Sequence, residues 1–106
     1  MYNKDISEKI VSDCFDMMDN IRQSKTICKK IVGRNTVSDE YLEVYKEMEG
    51  IDKTTQKMVN MVVDINGGVK GYNTETYFLL ITLYQTIIHD NMKVNTIRNY
   101  IRERYA

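Results

Sequence analysis

Four polar side chains follow Gly50 at the spacing of one helix face: Lys53, Thr54, Lys57 and Asn60. Side chains three and four residues apart in an α-helix lie on the same side of it. Lysine ammonium groups bind phosphates, while threonine and asparagine can form hydrogen bonds with base edges. The spacing therefore predicts a helix that binds duplex DNA, with the lysines on the backbone and the other two side chains facing the bases.

The surrounding segment, residues 41–60, partly matches a helix-turn-helix, in which a short turn sets a second helix into the major groove. Gly50 falls at the expected turn, but Glu49 and Gln56 are polar where apolar packing residues are expected. A second candidate, with its turn at residues 90–92, fits less well. The alternative is two consecutive bundle helices with a solvated polar face.

Residues 62–72 allow two interpretations, because Asn66-Gly67-Gly68 suits both the end of a helix and the tight turn of a β-hairpin. A hairpin here would form a wing beside the predicted DNA-binding helix, with Lys70 near its tip. Two further lysines, Lys29 and Lys30, lie in a basic segment of the first helix. All three are predicted to contact phosphates.

The predicted fold is mostly α, a compact bundle of about five helices in a single domain over residues 1–106, with the possible hairpin at 62–72. Apolar residues recur at helical spacing from residue 5 to about 23, with a possible continuation to 33. Capping residues and glycines place further helices at 38–50, 52–61, 74–90 and 96–105, with Asn73 or Thr74 as the cap of the helix at 74–90. The segment 74–90 is so apolar that it is expected to be the central core helix.

The distribution of charged residues indicates which classes of partner the protein can bind. The formal net charge is zero, which argues against a strongly cationic coat for nucleic acid and against a polybasic membrane anchor. The charges are nevertheless segregated, with acids in residues 5–19 and 39–52 and bases in 22–34 and 93–104. Such a bipolar surface could attract a macromolecule of either sign, or pair head-to-tail with another copy of the chain.

Protein binding is the alternative function. An acidic helix face at Glu40, Glu43 and Glu47, together with Tyr100 and Tyr105 near the C-terminus, could bind a protein partner or support a homodimer. The chain would then be an adaptor or inhibitor of the kind that phages and plasmids encode.

Catalysis has little support in the sequence, and the chain is predicted not to be an enzyme. The single histidine, His89, has no serine or cysteine beside it in sequence. Cys14 and Cys28 lack the spacing of a zinc or redox motif and are expected to be reduced core thiols. No cofactor or metal is predicted, since the glycines and acids of residues 64–75 fail the pattern of a calcium loop.

The longest apolar segment, residues 77–84, is far shorter than the roughly 20 residues that span a bilayer. With no apolar leader at the start, a cytoplasmic protein is expected. Abundant Asn, Lys, Ile and Tyr without Pro or Trp indicates AT-rich codons, as in a low-GC bacterium or a mobile element.

Overall fold

Three long helices form the protein in a computed structural model that describes residues 4–68 and 73–105. They are α1 (Lys4–Arg34), α2 (Asp39–Asn66) and α3 (Thr74–Tyr105). The bundle is elongated, with principal extents of 51 × 19 × 16 Å. The all-α class is confirmed, but the prediction of about five helices is wrong, because neighbouring predicted helices are joined into longer ones.

Helix α1 runs without interruption to Arg34, which confirms the possible continuation beyond residue 23. Gly33 lies inside its last turn rather than after it, and a Cβ atom there would meet nothing within 4 Å. A proline would break such a helix, and the chain contains none.

Helix α2 joins the two helices predicted at 38–50 and 52–61. Ser38 is its N-cap residue in an extended conformation, and Gly50 lies in its middle. Glycine inside a helix costs about 1 kcal/mol relative to alanine. Buried side chains on both sides of Gly50, including Met48 and Thr55, offset that cost by packing the same helix face into the core.

The predicted β-hairpin at 62–72 is wrong for its first strand, because residues 62–66 form the last turn of α2. Gly67 caps the helix, and Gly68 has a φ of 73°, the left-handed conformation that glycine adopts without a steric cost. Residues 69–72, which include Lys70, lie outside the described part of the chain. The helix-end interpretation of this segment is therefore the right one.

Helix α3 begins with the predicted asparagine cap. The Oδ1 atom of Asn73 accepts a hydrogen bond from the Thr76 backbone N–H at 2.9 Å, and the Thr76 hydroxyl oxygen accepts one from the Asn73 N–H at 2.9 Å. This reciprocal pair satisfies two amide groups at the helix start. The helix then continues through residues 90–92, where a turn between two helices had been predicted.

Polar contacts between the helices establish their directions. Asp13 on α1 accepts a hydrogen bond from the Tyr84 hydroxyl on α3 at 2.8 Å, and Ser24 accepts one from Arg98 at 3.0 Å, so α1 and α3 are parallel. Ser7 near the start of α1 donates to Asn66 at the end of α2. Helix α2 is therefore antiparallel to the other two, as expected for a bundle with short connections.

The core lies along the bundle axis and receives one apolar stripe from each helix. The buried apolar residues are Ile10, Cys14, Met18, Ile21, Cys28, Tyr45, Met48, Val59, Val62, Ile65, Leu80, Leu83, Ile87, Val94, Ile97 and Ile101. Because all three helices share this core equally, α3 is not a central helix surrounded by the others. It keeps a solvent-exposed side.

Both cysteines are buried and free, as predicted. They lie 14 residues apart on α1, which corresponds to about 21 Å along the helix and excludes a bond between them. Burial raises the pKa of the Cys14 thiol to about 11 and raises that of Cys28 as well. Such thiols are poor nucleophiles because the thiolate is disfavoured.

Candidate nucleic-acid interface

The predicted DNA-binding residues of α2 lie on its outer surface. Lys53, Thr54, Lys57 and Asn60 are all exposed, and they lie on an unbroken helix rather than after a turn. The helix-turn-helix prediction is therefore wrong as a structure: Gly50 is helical, and so are residues 90–92. A groove-reading helix set at an angle to a preceding one does not occur in the described residues.

Lysines 29 and 30 are exposed on α1, the antiparallel neighbour of α2. Two contacts join the helices in this region. Arg22 donates a hydrogen bond to Gln56, which lies beside Lys57 in the sequence. Further along, the Lys25 ammonium group forms an ion pair with Asp52 at 2.9 Å. These contacts bring the basic segment of α1 next to the lysines of α2.

We call the resulting surface the basic face and define it by its four exposed lysines, Lys29, Lys30, Lys53 and Lys57. Within residues 4–68 and 73–105, none of these four forms a salt bridge. The two segments that carry all four, 22–30 and 46–57, contain seven bases and three acids. Two of those acids, Glu47 and Asp52, are already paired with lysines. The face therefore has a local excess of positive charge on a chain without net charge.

Both of the predicted base-reading side chains have partners within α2. The Thr54 hydroxyl donates to the Gly50 carbonyl oxygen at 2.9 Å. The Asn60 Oδ1 atom accepts a hydrogen bond from Gln56 at 3.2 Å. These local bonds compete with bonds to a base edge, so the arrangement favours phosphate contact over sequence reading.

Four of the five residues of the predicted protein-binding surface have partners inside the molecule. The Tyr100 hydroxyl donates to Glu40 at 2.6 Å, and Lys93 pairs with Glu47 at 3.0 Å. The Tyr105 hydroxyl oxygen accepts a hydrogen bond from the Ser38 backbone N–H at 3.2 Å. Of the five predicted residues, Glu43 is exposed without a hydrogen bond or ion pair within the described ranges.

An aromatic cluster completes this end of the bundle. The rings of Tyr41 and Tyr100 are stacked with centroids 4.6 Å apart, and Tyr105 meets Tyr41 edge-on at 5.0 Å. The hydrogen bond to the Glu40 carboxylate raises the pKa of Tyr100. These contacts hold the start of α2 against the end of α3, so their role is structural.

His89 is exposed beside a shallow groove of about 320 Å³ between α2 and α3. Glu47, Met92, Lys93, Thr96 and Ile97 form the rest of the lining. The carboxylate in the groove is paired with Lys93. In the described ranges, no three His, Cys, Asp or Glu side chains are arranged to hold a metal ion.

Sequence reasoning missed the exposed apolar side of α3. Phe78 is 64% exposed and Met92 is 62% exposed, although the sequence predicts that the segment around Phe78 is the central core helix. The signal was present, since apolar residues covering more than half of a helix exceed what one bundle core can bury.

No protein-family model, curated protein or solved structure matches this chain. In the part of the chain that the structure describes, no helix is long and apolar enough to cross a membrane.

Proposed function

We propose that this protein is a non-enzymatic binding protein that contacts the phosphate backbone of duplex DNA through the basic face. The supporting observation is that Lys29, Lys30, Lys53 and Lys57 are exposed on adjacent antiparallel helices without a salt bridge among the described residues. Free ammonium groups on a rigid surface release counterions from DNA when they bind, and this release provides affinity.

The proposed binding does not depend on the base sequence of the DNA. Without a helix-turn-helix, α2 would lie along the DNA surface as a straight rod, and its lysines would face phosphates. Thr54 and Asn60 would assist with hydrogen bonds to the backbone rather than to bases, because their local bonds already occupy part of their capacity. Backbone contacts position a protein on DNA but carry no direct sequence information.

A titration of labelled duplex DNA at two salt concentrations tests this proposal. Each lysine that contacts a phosphate contributes about 0.9 to the slope of log K against log salt. Lys57→Ala is therefore expected to weaken binding and to lower that slope by about 1, equally for unrelated DNA sequences.

Lys9→Ala is the matched control, because it also removes one exposed lysine from the surface. Lys9 lies away from the basic face and is paired with Asp13 at 3.2 Å. It should leave the salt slope unchanged. Absence of salt-sensitive binding by the wild-type protein, or equal effects of the two substitutions, would remove the DNA proposal.

The adaptor function stays a weaker proposal. Its acidic and tyrosine residues would have to break contacts within the bundle before binding a partner, since Glu40, Glu47, Tyr100 and Tyr105 all have intramolecular partners. A charge reversal at exposed Glu43 that prevented recovery of a stoichiometric partner would favour it.

A further inference from the structure

Helix α3 has two apolar stripes rather than one. The first is the core stripe, in which Leu80, Leu83, Ile87, Val94, Ile97 and Ile101 are buried. The second we call the outer seam, and it consists of Phe78, Ile81, Gln85, Ile88 and Met92. Its members are separated by three, four, three and four residues, the alternation by which helices pair in coiled coils. A helix with one partner surface needs only the first stripe.

The outer seam has no charge and is open to solvent. Phe78 and Met92, at its two ends, are 64% and 62% exposed, and Gln85 at its centre is exposed. Ile81 and Ile88 are half-buried. Residues 76–88 contain no charged side chain at all. Solvent-facing helix surfaces are normally charged, so a neutral seam of this length marks a surface that another helix covers.

Met61 on α2, exposed by 44%, adds an apolar side chain to the neighbouring helix. Thr55 on α2 bonds to Asp90 on α3. Counting six residues from that contact along the antiparallel pair brings Met61 level with about residue 84, near the centre of the seam.

The two ends of the bundle differ in charge. The half containing residues 4–19, 54–66 and 74–89 has seven acids and three bases. The opposite half, residues 20–34, 39–53 and 90–105, has eleven bases and eight acids. A second bundle lying alongside in the reverse direction would place each acidic half against a basic half. A parallel neighbour would place like charges together.

We infer that the outer seam binds the outer seam of a second copy of this chain, in an antiparallel homodimer. The neutral seam provides the apolar contact, and the opposite charges of the two halves select the direction. The two-fold axis passes between Gln85 and Ile88. Gln85 then packs beside Ile88 of the second copy, and Ile81 packs beside Met92 of the second copy. Gln85 is the one strongly polar member of the seam, a type of residue that fixes the alignment of paired helices.

The mass in solution is the first test, measured by light scattering or sedimentation equilibrium. The wild-type chain is expected to be a dimer. Phe78→Glu combined with Met92→Glu is expected to raise the dissociation constant by about 100-fold or more, because two unpaired carboxylates would have to be buried. Circular dichroism must show unchanged helix content, which both exposed positions should allow.

Phe15→Glu is the matched control for this variant. Phe15 is 51% exposed on α1, so the substitution removes a similar aromatic surface and adds the same charge away from the seam. This variant should remain dimeric. A monomeric wild-type chain, a dimer that survives the double substitution, or an equal loss in the Phe15 control would overturn the inference.

Distances between spin labels test the direction. Cysteines introduced by Thr86→Cys and Asn99→Cys, at exposed positions outside the seam, can be labelled selectively because the native thiols are buried. In the antiparallel dimer the two copies of residue 86 are offset by only about 2 Å along the helix axis, whereas the two copies of residue 99 are offset by about 38 Å. Equal short distances at both sites would indicate a parallel dimer and contradict the inferred arrangement.

Discussion

The basic face and the outer seam are two exposed surfaces of the same bundle with opposite chemistry. On the basic face, exposed lysines of α1 and α2 have no salt bridge in the described ranges. On the outer seam, α3 exposes Phe78 and Met92 in a stretch that has no charge between residues 76 and 88. In a bundle of three helices, the outer side of one helix lies opposite the groove between the other two.

This difference shows that the three helices are not equivalent, although each contributes a similar stripe to the core. Helices α1 and α2 are apolar toward the core and charged outside, which is the pattern of a helix with one partner surface. Helix α3 is apolar on two sides. We therefore propose the basic face as the surface for polyanions and the outer seam as the surface for another helix.

The largest expected effects come from substituting each surface separately and measuring both DNA affinity and mass in solution for each variant. Charge reversal of Lys53 and Lys57 to Glu is expected to reduce DNA affinity by about 100-fold at low salt without changing the mass in solution. Phe78→Glu with Met92→Glu should do the reverse, because the seam lies on the other side of the bundle. A variant set that changes both properties would show that the two surfaces act together. Fluorescence anisotropy and light scattering on the same samples provide both measurements.

A layer of polar side chains lies between α1 and α3. Substitution in this layer should have the next largest effect. The Asn20 Nδ2 group donates to Asn91 at 2.7 Å and to Asn95 at 2.8 Å, while its Oδ1 atom accepts from Arg98 at 3.3 Å. Asn20→Ala leaves these groups without their partner and is expected to lower the free energy of unfolding by about 2 kcal/mol in urea titrations. Asn99→Ala, at an exposed position, should change it by less than about 0.5 kcal/mol.

Substitution of Gly50 should have the smallest effect on stability, but it tests most directly whether α2 is one continuous helix. It is helical, and a Cβ atom there would meet nothing within 4 Å, so Gly50→Ala should raise the free energy of unfolding by about 0.5–1 kcal/mol. Gly68→Ala should have the opposite sign, because Gly68 has a φ of 73°. Thermal unfolding of both variants measures these two changes in stability. A loss of stability in Gly50→Ala would indicate that a turn, rather than a helix, exists there.

The helical class and the cap at Asn73 could be predicted from sequence because they depend on local spacing and side-chain chemistry. The number of helices could not. Gly33 and Gly50 suit helix ends as well as helix interiors, and the choice depends on burial in the assembled bundle, which no local pattern contains. The same reason explains the missing turn at residues 90–92.

The candidate surfaces were predictable to different degrees. The exposure of Lys53 and Lys57 could be predicted because they lie four residues apart on one helix side, but their proximity to the basic-face lysines of α1 depends on how the helices pack. The internal partners of Glu40, Glu47 and Tyr100 could not, since those contacts join residues about 46–60 positions apart in the chain. The exposure of the outer seam is harder to predict, because its apolar residues resemble a core stripe in sequence.

The asparagine layer also has a consequence for how α3 folds. Because α3 has two stripes of similar hydrophobicity, it could rotate about its own axis and bury the outer seam instead of the core stripe. In that rotated state Asn20 would lose both amide acceptors, and Arg98 would have to leave Ser24. A handful of hydrogen bonds thus decides which side of the helix becomes interior and which is kept available for assembly.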